Sequence, residues 1–121
     1  MPAREWQLRI EDILAAVERV QRYTAGMDLA GFLADEKTID AVCFCFGIIG
    51  EAARHVPDEV VAGNIDLPWP EIRGMRNVVV HEYFGVTHET LWKTAREDLP
   101  AIVDRLRLLL QDGGRLARSH Q

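Results

Sequence analysis

One stretch of the chain concentrates residues able to move a proton and hold a phosphate: Gly74-Met75-Arg76-Asn77-Val78-Val79-Val80-His81-Glu82-Tyr83-Phe84. It sets Arg76, Asn77, His81 and Tyr83 into little more than two helical turns of otherwise apolar sequence. Polar groups in such surroundings are costly unless they are paired or used. A histidine titrates near neutral pH, so His81 can take or give a proton. Arg76 offers a planar fork of donors that fits a phosphate and stabilises charge building on it. Asn77 can orient the imidazole or bind a phosphate oxygen. Each residue also has a plainer reading. A lone His on an apolar helix commonly belongs to the core. Arg76 could be a salt-bridge partner of Glu82 or Glu51, and Tyr83 could simply pack.

Helical geometry limits how these side chains meet. At about 100° per residue, Asn77 and His81 stack on one face, and Arg76 and Tyr83 share a neighbouring one. Arg76 and His81 then stand about 140° apart around the axis, so an ideal straight helix does not cluster all four. Three arrangements would: Arg76 reaches around, the helix distorts near Gly85, or a second copy of the helix completes the site. Glu51, in a run of small and apolar residues, reads as a supporting contact. It would orient a site residue or cap a seam between two copies rather than act as a base. Asp40 reads as a first-turn helix charge. His55, His88 and His120 show no ligand spacing with Cys43 or Cys45, so no metal site is expected. No Gly-rich phosphate loop is present.

The elements that must position these residues read as helices. From Trp6 to Tyr23, the residues Trp6, Ile10, Ile13, Leu14, Val17 and Val20 recur at steps of three and four. Arg9, Asp12, Arg19 and Arg22 occupy the opposite face, and Gly26 is a C-terminal stop. Asp28 caps a short helix over 29–33, with Phe32 and Leu33 turned inward. A long helix follows over about 36–56 and ends before Pro57. It contains Gly47 and Gly50, which weaken a helix but permit another to approach closely. Residues 57–70 form a connector with one helical turn around Val60. Pro70 suits the first turn of the helix that carries the signature, with Ile72, Met75 and Val79 facing the core. Thr87 caps the last helix, which Pro100 should kink or break near 96–99.

With no β-alternation and no repeat, the pattern predicts an all-α, antiparallel up-and-down bundle of four or five helices. The 121 residues suit one domain, expected over 1–110, with 111–121 a flexible C-terminal tail. Apolar residues make up 48% and charged residues 27%, an ordinary globular mix. The net charge of -5 disfavours extended tracking of DNA or RNA but leaves room for a small cationic site. No signal peptide or membrane-spanning run is visible, so a cytoplasmic location away from membranes is expected. Cys43 and Cys45, two apart on a helix, point to different faces and read as buried thiols.

Arg76, four residues, His81, one residue, Tyr83, led in by Gly-Met, resembles the signature of HepT-like proteins of the HEPN family. The resemblance extends over Asp12-Ile13-Leu14, Tyr23-Thr24-Ala25-Gly26, Asp40-Ala41-Val42 and Ile49-Gly50-Glu51-Ala52-Ala53. It implies a homodimeric, metal-independent endoribonuclease toxin of a type VII toxin–antitoxin system, needing no cofactor. Cleavage would proceed by attack of the RNA 2′-OH on its own 3′-phosphate, with Arg76, His81 and Asn77 as the catalytic group. It further implies a nucleotidyltransferase antitoxin of the MntA kind that transfers AMP to Tyr83. The alternative is a non-catalytic helical adaptor that binds a nucleotidyltransferase, which the acidic charge favours and the Arg76–His81 pair does not.

Overall fold

The apolar stripe of the first segment folds as α1 (Glu5–Thr24), with Ile10, Ile13, Val17 and Val20 buried. Gly26 follows with φ 75°, a left-handed turn that glycine adopts without strain. This is a computed structural model, and it describes residues 5–77 and 87–112. Asp28 caps α2 (Leu29–Leu33) by accepting the Gly31 N–H at 2.8 Å. Phe32 is fully buried, but Leu33 is 37% exposed and does not turn inward as expected. Two adjacent positions on a helix differ by about 100°, and α2 is too short to bury both.

The long helix α3 (Glu36–Arg54) packs along α1 and supplies Val42, Cys45, Phe46, Ile49 and Ala53 to the core. Its cap is Asp35, whose carboxylate accepts the Thr38 N–H at 3.1 Å. Both cysteines are buried, without a disulfide. A single turn, α4 (Asp58–Ala62), lies in the connector around buried Val60. Asn64 then bends the chain: its amide donates to the Val60 carbonyl, and its own carbonyl accepts the Trp69 indole N–H at 2.9 Å.

The helix begun at Pro68-Trp69-Pro70 differs from expectation. α5 (Trp69–Gly74) stops at Gly74, and the Met75 N–H closes a tight turn onto the Ile72 carbonyl at 3.2 Å. Helical backbone resumes at Arg76–Asn77, the last described residues before Thr87. Gly74 lacks the helix propensity to carry the chain through, and Met75 is anchored in the core beside Ile72. Val79 and Gly85 fall outside the described residues.

Thr87 caps α6 (His88–Lys93), its hydroxyl accepting the Thr90 N–H at 3.1 Å. The expected irregularity before Pro100 takes a definite form. Over Thr94–Asp98 the helix widens into a π turn, in which the Leu99 N–H reaches back to the Thr94 carbonyl. Pro100 has no N–H for the Arg96 carbonyl, so the ladder shifts by one residue there. α7 (Leu99–Gln111) then runs on, and so takes in Gln111, which the sequence assigned to the tail. Residues 113–121 lie outside the described residues. Arg96 ties this turn to α1 by donating to the buried Thr24 hydroxyl at 3.2 Å.

The result is a helical bundle, with no strand among the described residues. α1 and α3 form its centre, α7 covers α1, and α5 lies on α3. Trp6 and Trp69 are core residues, while Trp92 packs against Phe32 at 5.2 Å between ring centroids. No described helix is long and apolar enough to cross a membrane.

Candidate functional site

Arg76 owes its position to a glycine on the neighbouring helix. A Cβ built on Gly50 would lie 2.3 Å from the Arg76 backbone nitrogen and 2.7 Å from its Cβ. Any side chain at 50 would drive the two backbones apart. The residue after Gly50 is Glu51, so the same approach sets a carboxylate beside Arg76. Arg76 Nε stands 3.3 Å from Glu51 Oε2. Of the two partners considered for Arg76, the structure shows Glu51; Glu82 lies outside the described residues.

Arg73 secures this junction. Its Nε donates to the Ala53 carbonyl at 3.1 Å and its Nη2 to the Val56 carbonyl at 3.0 Å. Both acceptors belong to buried residues where α3 ends, and the Ala53 carbonyl also accepts the Val56 N–H at 3.2 Å. The start of the signature is therefore clamped to α3 from both sides, by the Gly50 contact and by Arg73.

Glu51 serves several partners at once. His55 Nε2 lies 3.2 Å from Oε1, and Arg54 Nη1 lies 3.4 Å from Oε2. The His55 hydrogen bond is the largest cause holding the Glu51 carboxyl below its ordinary range; burial opposes it, and the charges of Arg54 and Arg76 add smaller downward effects. A carboxylate so held is a poor base, which favours its reading as a support. These side chains are about half exposed, so the pairs do more for orientation than for stability. The contact uses the Arg76 Nε edge. Among the described residues, no ion pair engages its two Nη groups.

Arg76, Glu51 and His55 line an open groove of about 520 Å³ together with Arg9 and Asp12 of α1 and Phe44 and Ile48 of α3. Arg9 is itself paired, with Glu5 at 3.4 Å and Asp12 at 3.8 Å. Asn77 is exposed and follows Arg76 directly. His81 and Tyr83 fall outside the described residues, so the geometry joining them to Arg76 rests on the chain sequence alone. Asp40 is exposed on α3 and takes no part. Among the described residues no group of three His, Cys, Asp or Glu is arranged to hold a metal ion.

Four of these residues were not singled out by sequence reasoning. His55 was weighed only as a metal ligand, yet it stands four residues after Glu51, a spacing that puts both on one helical face. Arg9 and Asp12 read as a solvent-facing charge pattern, and nothing local reveals that α3 lies alongside. Arg73 carries no local signal, because its partners are backbone carbonyls distant in sequence.

The profile of the family described as "Ribonuclease HepT-like" matches residues 13–109 of the chain. A Thermococcus cleftensis protein named "Probable ribonuclease HepT" is 39% identical over 93 residues, covering 77% of this chain and 84% of that one. A Methanocaldococcus jannaschii protein named "Putative RNase MJ0125" is 31% identical over 112 residues, covering 93% and 97%. A further relative from Caldanaerobacter subterraneus, named "Putative RNase TTE0752", is 32% identical over 102 residues, covering 84% and 91%. No solved structure gives a significant match.

Proposed function

The chain belongs to the ribonuclease HepT-like family, and from that premise we propose that it is an endoribonuclease whose catalytic residues are Arg76, His81 and Asn77. The observation that carries the reading is the placement of Arg76. The first residue of the signature stands at an open groove, held through Nε by Glu51 at 3.3 Å, with no ion pair on its Nη edge among the described residues. That edge is the one that binds a phosphate through two parallel donors.

The chemistry follows from the residue types. His81 takes the proton of a ribose 2′-OH, and the oxygen attacks the adjacent 3′-phosphorus. Arg76 neutralises the charge gathering on the non-bridging oxygens. The 5′-oxygen leaves and is protonated, giving a cyclic phosphate and a 5′-hydroxyl. Asn77 orients His81 or holds a phosphate oxygen. The nucleophile is the RNA's own hydroxyl, so the route calls on no metal-activated water, and DNA, without the 2′-OH, is not a substrate.

The catalytic unit is one helical domain, and two copies pair near the signature. An isologous interface brings two Arg76 and two His81 toward one axis, giving an acidic chain a local cationic site. The protein acts as the toxin of a type VII toxin–antitoxin pair, and its partner is a nucleotidyltransferase antitoxin of the MntA kind. In that regulation the Tyr83 hydroxyl attacks the α-phosphate of ATP and pyrophosphate departs. The added AMP places a negative phosphate and a bulky nucleoside in the site.

Incubation of the purified protein with total RNA in EDTA tests the reading. Cleavage that persists in EDTA and is lost in His81→Ala supports it. Absence of cleavage by the parent, together with tight binding of a nucleotidyltransferase, points instead to the non-catalytic adaptor.

A further inference from the structure

The Glu51 carboxylate divides its two oxygens between competing partners. His55 Nε2 stands 3.2 Å from Oε1, while Oε2 faces Arg76 Nε at 3.3 Å and Arg54 Nη1 at 3.4 Å. Two guanidiniums thus contend for one oxygen, and one imidazole holds the other. A carboxylate only accepts, so His55 must donate from Nε2. The neutral Nε2–H tautomer and the imidazolium both do so, and the contact survives a change in the charge of the ring.

The partners do not stand alike. Glu51, His55 and Arg76 line the groove, and Arg54 does not. Arg54 follows Glu51 by three residues on α3, so its guanidinium stays within reach whatever the neighbouring segment does. Arg76 comes from another segment, and it meets Glu51 only because Gly50 lets the two backbones close. These side chains are about half exposed, so other rotamers are open to them. A Glu51 turned out of the groove would offer both oxygens to Arg54, the two-bond pairing that an arginine favours. Arg76 Nε would then lose its partner. His55, one turn beyond Glu51, opposes that rotation by holding Oε1 on the groove side.

We propose that His55 is a positioning residue for RNA cleavage. It decides the competition for Glu51 in favour of Arg76, and so keeps the Arg76 Nη edge turned toward the phosphate. The inference rests on the ribonuclease reading and adds to it a residue outside the signature. His55 acts through Glu51 and touches neither the RNA nor the reacting atoms. Arg76 answers charge that builds in the transition state, so its misplacement shows mainly in kcat.

Steady-state cleavage of an RNA oligonucleotide, joined to NMR of the Arg76 side chain, provides the test. His55→Ala should lower kcat roughly tenfold, with KM little changed. It should melt with the parent, because a half-exposed pair adds little stability. His55→Gln keeps a donor of similar reach and should retain most of the activity. The distinguishing variant combines His55→Ala with Arg54→Ala. Removing the competitor returns Glu51 to Arg76, so the double variant should recover most of the lost kcat; a merely structural His55 gives no such recovery. The Arg76 Nε–Hε resonance, identified by its loss in Arg76→Ala, reads the same contact without reference to activity. It should move toward that of a free arginine in His55→Ala and return in the double variant. Parent-like kcat in His55→Ala, or a loss that Arg54→Ala does not relieve, overturns the proposal and leaves the ribonuclease reading standing. An Arg76 resonance unmoved in His55→Ala overturns it whether or not the protein cleaves RNA. A parent that cleaves no RNA removes the ribonuclease reading, and with it the role of His55 in cleavage.

Discussion

At the scale of residues, the site turns on Glu51, a carboxylate shared among Arg54, His55 and Arg76. Its folded pKa is depressed, so whatever it contributes is present above the ordinary carboxylate range and is lost as pH falls through the depressed value. A carbon-detected NMR titration should place the Glu51 midpoint below that of an exposed glutamate. In His55→Ala, which removes the largest cause of the shift, the midpoint should move back upward; an unmoved midpoint would deny His55 that role. Glu51→Gln keeps the shape but not the charge. It should lower kcat while leaving the melting temperature nearly unchanged, because half-exposed pairs add little stability. A Glu51→Gln protein as active as the parent would remove Glu51 from the positioning of Arg76. The residue types of the site were legible in the sequence, but their pairing was not. Arg76 could be matched on paper with Glu82 or Glu51, because a tertiary contact leaves no mark on local spacing. His55 was passed over because the pattern sought was that of a metal site.

At the scale of elements, the close approach of α3 to the start of the signature is the structural core of the account. Gly50→Ala would set a methyl against the Arg76 backbone, which cannot move as a side chain can. The substitution should cost about 1–3 kcal/mol and should also displace Arg76, so that activity falls more than stability explains. Chemical denaturation with a parallel cleavage assay checks both; a fully active, fully stable Gly50→Ala would contradict the contact. Arg73→Ala strips two buried carbonyls of a charged donor and should cost about 2 kcal/mol in the same denaturation assay. The sequence showed that Gly50 could admit a neighbour but not which one. It placed the disturbance before Pro100 correctly, yet a π turn and a kink share the same local cause. The break after Gly74 went unforeseen. Helix propensity alone sets only a modest penalty at Gly74, and Met75 would be buried on an unbroken helix as well, so neither marks the turn in the sequence.

At the scale of the whole molecule, the helical class and the order of elements followed from apolar periodicity, because each stripe in the sequence faces the α1–α3 centre. Self-association leaves no such trace in one chain. The proposed homodimer should give twice the monomer mass in light scattering at micromolar concentration, and a clean monomer would contradict it. Control by the antitoxin is also a property of the assembly. Co-expression with a nucleotidyltransferase partner should add one or more AMP units at Tyr83, seen by intact-mass spectrometry, and silence the nuclease. Tyr83→Phe keeps the ring, gains no mass and should stay toxic beside the partner; its full neutralisation would point to inhibition by binding alone.

The central claim is that Arg76 and His81 direct an RNA hydroxyl onto its own phosphate. The most direct measurement is mass spectrometry of the products from a single-stranded RNA, compared with the same strand carrying one 2′-deoxy nucleotide at the mapped cleavage position. The account predicts fragments ending in a 2′,3′-cyclic phosphate and a 5′-hydroxyl, formed in EDTA, with no cleavage at the deoxy position and none by Arg76→Ala or His81→Ala. Fragments ending in a 3′-hydroxyl and a 5′-phosphate, or undiminished cleavage at the deoxy position, would contradict it.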